Sequence, residues 1–252
     1  MNDQSDKLFA ARLGDMVALC ERDCTYQFSS FLDERQCAEA EAWCMRNTGA
    51  LRYRLWGGYD GARRKMLAVY PDYCEDYIIE EYPFVCLTFS YREEDKLSHR
   101  DFLGTFMGLQ LKREVVGDIV TAEGKTQAFV TNVAAKLITS SVSKIGRVGV
   151  KIHDDLPFEL ENAQKFQDIS GTVASLRLDC VVGLAAHLSR EKAAALIRTD
   201  KVEINHFPVS SVSRELRGGD VLSIRGFGRF VLSDINGETK KGRIHIELKK
   251  YI

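Results

Sequence analysis

Along the first fifty residues, apolar positions recur at helical spacing. In DKLFAARLGDMVALCERD, the residues Leu8, Ala11, Met16 and Leu19 return at about one turn apart. SSFLDERQCAEAEAWCMRN opens on a Ser pair suited to capping and carries Asp33 and Glu34 where a first turn favours acids. It is rich in Ala, Glu and Gln, and it stops near Asn47 and Gly49. From residue 50 the period changes to alternation. ALRYRLWGGYDGARRKMLAVYP reads as two strands around GGYDG, a hairpin. Its glycines fit neither the dinucleotide spacing nor the P-loop spacing, and no helix follows them.

Residues 82–153 predict a more regular order. YPFVCLTFSY is a strand, and SHRDFLGTFMGLQL is a helix capped by Ser98. VVGDIVTAEG and KTQAFVTN are strands meeting at Glu123-Gly124; NVAAKLITSSVSKI is a helix and RVGVKIHD a strand. This β-α-β-β-α-β order is that of the ferredoxin-like fold and of the RRM. An RRM shows an aromatic-rich third strand, whereas KTQAFV supplies only Phe129. A scaffold, or a surface touching a larger assembly, fits better than base stacking. DDLPFELENAQKFQD is polar, contains Pro157 and reads as a linker, with a boundary near residue 170.

Beyond it, TVASLRLDCVVGLAAHL brings a short strand into a helix. Ser189 caps a second helix, whose Ala193, Leu196 and Ile197 set a buried stripe. Arg190 and Lys192 fall on opposite flanks of that stripe, where their stems pack and their charges project. KVEINHFPVS alternates as a strand, ELRGGDVLSIRGFGRFVLSDI supplies a turn and further strands, and GRIHIELKKYI closes the sheet.

Charge sharpens this division. The whole chain has 35 Lys/Arg and 36 Asp/Glu. Residues 172–252 hold 14 and 9 of these, a balance of +5, which leaves 21 and 27, a balance of −6, for residues 1–171. A basic tail on an acidic body suggests a polyanionic partner for the tail. The seven cysteines lack a C-x-x-C, so reduced buried thiols are expected rather than a metal or disulfide framework. No apolar run approaches the roughly 18 residues that cross a bilayer, and the N-terminus lacks a signal pattern, so a cytoplasmic protein without membrane contact is expected.

The tail resembles the S4 RNA-binding domain. The matching positions are Arg177-Leu178-Asp179, Ser189-Arg190, Ala193, Leu196-Ile197, Lys201-Val202, Asn205, Ser213, Leu216, Gly219-Asp220 and Ser223-Ile224-Arg225-Gly226. Asp200 and His206 stand where that family commonly has Gly. The resemblance implies RNA contact by Arg177, Asp179, Ser189, Arg190, Lys192, Arg198, Lys201, Asn205, Ser213, Arg225 and Arg229. Within that set, Asp179 is expected to orient a neighbouring arginine or to cap its helix, and Asn205 and Ser213 hold turns as readily as they touch RNA. Arginine suits the task because its planar fork grips phosphate bidentately.

The chain as a whole is similar to the YlmH family. The resemblance rests on SHRDFLGTFMGLQLKREVVGDIV (residues 98–120), SIRGFGRF (residues 223–230), the C-terminal S4 position and the length. It implies a protein without enzymatic activity or cofactor, binding rRNA and tRNA on the large ribosomal subunit, in ribosome-associated quality control of stalled peptidyl-tRNA. A monomer without a small-molecule substrate or metal is expected. The alternatives are an RNA-modifying enzyme of the pseudouridine synthase or methyltransferase type, and a protein adaptor linked to cell division. Neither enzyme has its signature here, and the adjacent His99, Arg100 and Asp101 point about 100° apart on a helix. The expected architecture is α+β. It comprises a helical and hairpin region (1–81), a ferredoxin-like, RRM-like middle domain (82–158) and an S4 domain of the αL type (172–252, core motif 174–235).

Overall fold

The computed structural model describes residues 3–159, 166–238 and 242–251. The chain divides into two units, Met1–Asn162 and Ala163–Ile252. In the first, the elements run α1 (Asp3–Asp23), β1 (Gln27–Phe28), α2 (Glu34–Asn47), β2 (Arg52–Trp56), β3 (Met66–Tyr70), β4 (Phe84–Ser90), α3 (His99–Gly108), β5 (Val116–Ala122), β6 (Lys125–Thr131), α4 (Asn132–Ser141), β7 (Lys144–Ile145), β8 (Val148–Gly149) and β9 (Lys151–His153).

Helix α2 begins later than its Ser pair suggests. Asp33 is the N-cap: its carboxylate accepts from the Gln36 amide at 2.8 Å, and the Gln36 side chain accepts from the Asp33 amide at 3.0 Å. This capping box satisfies two of the orphan donors at once. Ser29 is drawn elsewhere, its hydroxyl accepting from the Leu67 amide at 2.9 Å. The expected hairpin is present as β2 and β3, and the unforeseen β1 pairs along the other edge of β3. All five residues of β3 are buried. Leu67 and Val69 pack with α1 and α2, while Met66, Ala68 and Tyr70 face the opposite way.

That opposite layer meets a second, antiparallel sheet of order β5-β6-β4-β9. One face of this sheet carries Leu87, Phe89, Ala128 and Val130 against Phe102 and Phe106 of α3 and Ile138 of α4. Phe129 points to the other face, where it joins Phe31, Met66, Tyr70 and Tyr82. Its ring lies 5.5 Å from Tyr59 and 5.1 Å from Phe158, and it is 3% exposed. The surface on which an RRM stacks bases is therefore interior here, and burying each such aromatic contributes roughly 2–3 kcal/mol. Gly58 permits the closure: at φ +98° it lies so near Phe129 that a Cβ would sit 2.1 Å from the ring. GGYDG thus serves packing. RVGVKIHD, read as one strand, is broken into β8, which pairs with β7, and β9, which pairs with β4.

The second unit comprises β10 (Phe166–Val173), α5 (Leu178–Ala185), α6 (Arg190–Arg198), β11 (Val202–Ile204), β12 (Phe207–Pro208), β13 (Val221–Ile224), β14 (Gly228–Glu238) and β15 (Ile244–Tyr251). Its sheet has six strands in the order β10-β15-β14-β13-β11-β12. Residues 160–165 of the expected linker lie outside the described residues. The stretch from 166 onward is an edge strand paired over eight positions with β15. GRIHIELKKYI accordingly lies inside the sheet rather than closing it. Helices α5 and α6 cover one face through Leu178, Val181, Val182, Ala193 and Ile197, packed against Leu222, Phe230, Leu232, Ile246 and Leu248.

Candidate nucleic-acid interface

The helix pair presents its cations through one buried carboxylate. Asp179 lies in the first turn of α5 and is 3% exposed. Arg177, at the N-cap, donates from Nε and Nη2 to its two oxygens, each at 3.2 Å. Arg190, at the start of α6, donates from Nε to Oδ2 at 2.8 Å. Burial alone raises a carboxyl pKa, but the hydrogen bonds from Arg177 and Arg190 and their charges outweigh it and hold Asp179 at about 2. The hydrogen bond to Asp179 raises the Arg190 guanidinium in turn. Asp179 therefore orients both arginines. The Arg190 side chain remains 61% exposed, so most of its donors face solvent.

Ser189 caps α6, its hydroxyl accepting from the Lys192 amide at 3.4 Å, and Lys192 itself is exposed beside it. The other end of α6 is closed by a Schellman motif. The Lys201 amide donates to Leu196 O at 3.1 Å, and the Asp200 amide donates to Ile197 O at 3.2 Å. Asp200 sits at φ +53°, the left-handed position usually given to Gly. Lys201 and Arg198 are exposed there, and the Arg225 amide donates to Lys201 O at 2.9 Å, so Arg225 joins the same end. Arg190 and Arg198 mark the two ends of α6, eight positions or roughly 12 Å apart along the helical rise.

The remaining positions separate from this group. Asn205 and His206, at φ +49° and +71°, form the two-residue turn between β11 and β12, the type I′ pattern of tight hairpins. The Asn205 amide group is engaged by Asp220 Oδ1 at 2.8 Å and the Val221 amide at 2.9 Å, so Asn205 holds its turn. Arg229 lies on the sheet, 5.6 Å from the Tyr251 ring centroid, with Nη2 3.3 Å from His206 Nδ1. Its neighbour Phe230 points to the helices, so Arg229 is on the face away from them. Ser213 is exposed on the segment whose Val212 and Arg214 carbonyls accept the amides of Asp179 and Leu178.

Arg243 is an addition. Its Nε donates to Thr172 Oγ1 at 3.1 Å and its Nη2 donates to Thr172 O at 2.7 Å. With Asp179 and Arg190 it lines a cleft of about 380 Å³. Nothing in its local spacing tied it to residues 177–190. Among the described residues, no group of three His, Cys, Asp or Glu side chains is placed to hold a metal. Burial pushes the thiols of Cys20 and Cys44 up to about 11. Among the described residues, no helix is long and apolar enough to cross a membrane.

Fold and face define a class first: an α+β protein whose C-terminal sheet carries a helix pair with arginines fixed by a buried carboxylate. Residues 79–159 match the family model described as "Putative RNA-binding domain in YlmH". The "Ribosome-associated protein quality control protein P2" of Bacillus subtilis (strain 168) is 35% identical over 201 residues, 77% of this chain and 76% of that protein. The chain belongs to the YlmH family. The solved structure named "Cell division protein ylmH from Streptococcus pneumoniae" has a similar fold, with a TM-score of 0.53 at 17% identity over 62% of this chain and 94% of that one.

Proposed function

We propose that the protein is a non-catalytic RNA-binding factor that grips structured rRNA, and tRNA beside it, on the large ribosomal subunit. Its task is to hold obstructed peptidyl-tRNA complexes during ribosome-associated quality control. The observation that carries the reading is the Asp179-aligned pair Arg177 and Arg190 at one end of α6, with Arg198, Lys201 and Arg225 at the other. A rigid array of this kind favours a folded phosphate backbone, which is read by shape and charge. The helix pair followed by strands supports an S4 domain of the αL type. The strand order of residues 84–153, with the first strand between the third and the fourth, supports a ferredoxin-like middle segment. The quality-control name of the Bacillus subtilis relative supports the ribosomal setting.

The test is sedimentation of purified protein with large ribosomal subunits at low ionic strength. Wild-type protein is expected to travel with the subunits, and Arg190→Ala/Lys201→Ala to lose tenfold or more in affinity while keeping its helix content. Equal co-sedimentation of wild type and double variant rejects this face, and wild-type protein migrating apart from the particles rejects the ribosomal role.

A further inference from the structure

The first unit contains two arginines that packing alone leaves unbalanced. Arg64, just before β3, donates from Nε to Val116 O at 2.9 Å and from Nη2 to Phe31 O at 3.0 Å and Arg113 O at 3.1 Å. Arg113, just before β5, donates from Nη1 to the same Val116 oxygen at 2.6 Å and to Gly117 O at 3.2 Å. Two guanidiniums therefore converge on one carbonyl. Among the described residues, neither has a carboxylate within ion-pair distance.

The acids nearby are engaged elsewhere. Asp118 accepts from Tyr59 Oη at 2.8 Å and from the Arg63 and Arg64 amides at 2.7 and 3.1 Å. Asp33 caps α2. Burial lowers both guanidiniums, Arg113 to about 10 with the Arg64 charge as its second cause, and the charge of Asp118, joined at Arg64 by that of Asp33, offsets only part of this. Two like charges taken partly out of water are costly unless an anion joins them. The carbonyls occupy Arg64 Nε and Nη2 and Arg113 Nη1, which leaves Arg64 Nη1 and Arg113 Nε and Nη2 as donors for such an anion. Both residues line a cleft of about 440 Å³ that also includes Arg12 and Lys112, the acids Asp33 and Glu114, and Phe9 and Met16 as an apolar wall, so four cations face two carboxylates. Lys112 is at the rim, 81% exposed and 3.7 Å from Glu114.

We propose that this cleft takes a phosphate group of an RNA chain, a second RNA contact separate from the α5–α6 face. It rests on the reading of the protein as an RNA binder. The guanidinium donors match phosphate geometry, and the apolar wall suits an adjoining base.

The experiment uses the full chain and a short fluorescein-labelled RNA hairpin, with AMP as a second probe. Lys112→Glu and Arg113→Gln are each expected to weaken hairpin binding about five- to tenfold and to reduce the salt slope by about one. Lys112 is 81% exposed and its one ion pair, to Glu114, is at the surface, so this variant keeps the test open should Arg113→Gln fold poorly. Combined with Arg190→Ala/Lys201→Ala, the losses are expected to multiply, because the two sites share no residue. Unchanged hairpin affinity and slope in Lys112→Glu, with the α5–α6 variant still impaired, overturns the cleft and leaves the RNA reading standing. No loss in any variant overturns both. AMP binding that Lys112→Glu abolishes, with hairpin affinity unchanged, assigns the site to a free nucleotide and also overturns the proposal.

Discussion

Replacing Asp179 with Asn removes the charge that aligns Arg177 and Arg190 while keeping the side chain's size. In the folded protein the carboxyl lies at about 2 against a usual 3.8. A tenfold change in proton affinity is worth about 1.4 kcal/mol, so that difference corresponds to about 2–3 kcal/mol. The Arg190 side chain is 61% exposed, so solvent screens its share and leaves about 1–2 kcal/mol. The sign follows from the depressed folded value. The stabilisation is fully present above the unfolded carboxyl's titration near 3.8 and is lost as pH falls through about 2. Amide hydrogen exchange over residues 178–198 reads this locally, without assuming that the two units unfold together. At pH 7, Asp179→Asn is expected to exchange about 5- to 30-fold faster than wild type there. Urea unfolding is expected to show a gap between the two proteins that is as large at pH 5 as at pH 7 and narrows toward pH 2. Equal exchange at pH 7, or a gap that ignores pH, would refute the assignment of Asp179 as the charged anchor of the face.

Gly58→Ala is expected to lower the stability of the first unit by about 2 kcal/mol or more, because its Cβ would meet the Phe129 ring at a left-handed backbone position. Gly61→Ala, also left-handed but with nothing within 4 Å, is expected to cost only about 1 kcal/mol. Urea midpoints of the two variants check the contrast, and equal losses would show that the ring contact is not what requires Gly58. Phe129→Leu is expected to cost about 1–2 kcal/mol and to leave RNA affinity unchanged, since the ring is interior. A selective loss of RNA binding in a stable Phe129→Leu protein would reopen the base-stacking reading of that sheet.

The parts legible in the sequence were those written in local periodicity or capping chemistry. The α6 stripe is one: Ala193 and Ile197 are both fully buried. Ser98 is another, with Asp101 accepting from its amide and hydroxyl at the start of α3. Asp179 was legible as an orienting acid, since a carboxylate between arginines has few other uses. What escaped was set by partners distant in sequence. Phe166–Asp168, the start of β10, looks like linker because an edge strand is polar on its open side, and its pairing is fixed by β15, far along the chain. Gln27–Phe28 is too short to alternate visibly, and it is a strand only because β3 lies beside it. Arg243 reaches the α5–α6 cleft from 71 positions beyond Thr172. Arg64 resembles any loop cation until Val116, Phe31 and Arg113 close around it.

The salt dependence of RNA binding bears most directly on the central claim, that a fixed cationic face on the second unit grips a phosphate backbone. If about 4–6 phosphates are neutralised, at a slope of about 0.7–0.9 for each, a fourfold rise in salt is expected to weaken binding by about 50-fold to more than 1,000-fold. Arg190→Ala/Lys201→Ala is expected to bind about tenfold or more weakly and to give a slope shallower by about two. A flat slope in the wild-type protein, or one that the double variant reproduces at full affinity, would contradict the account.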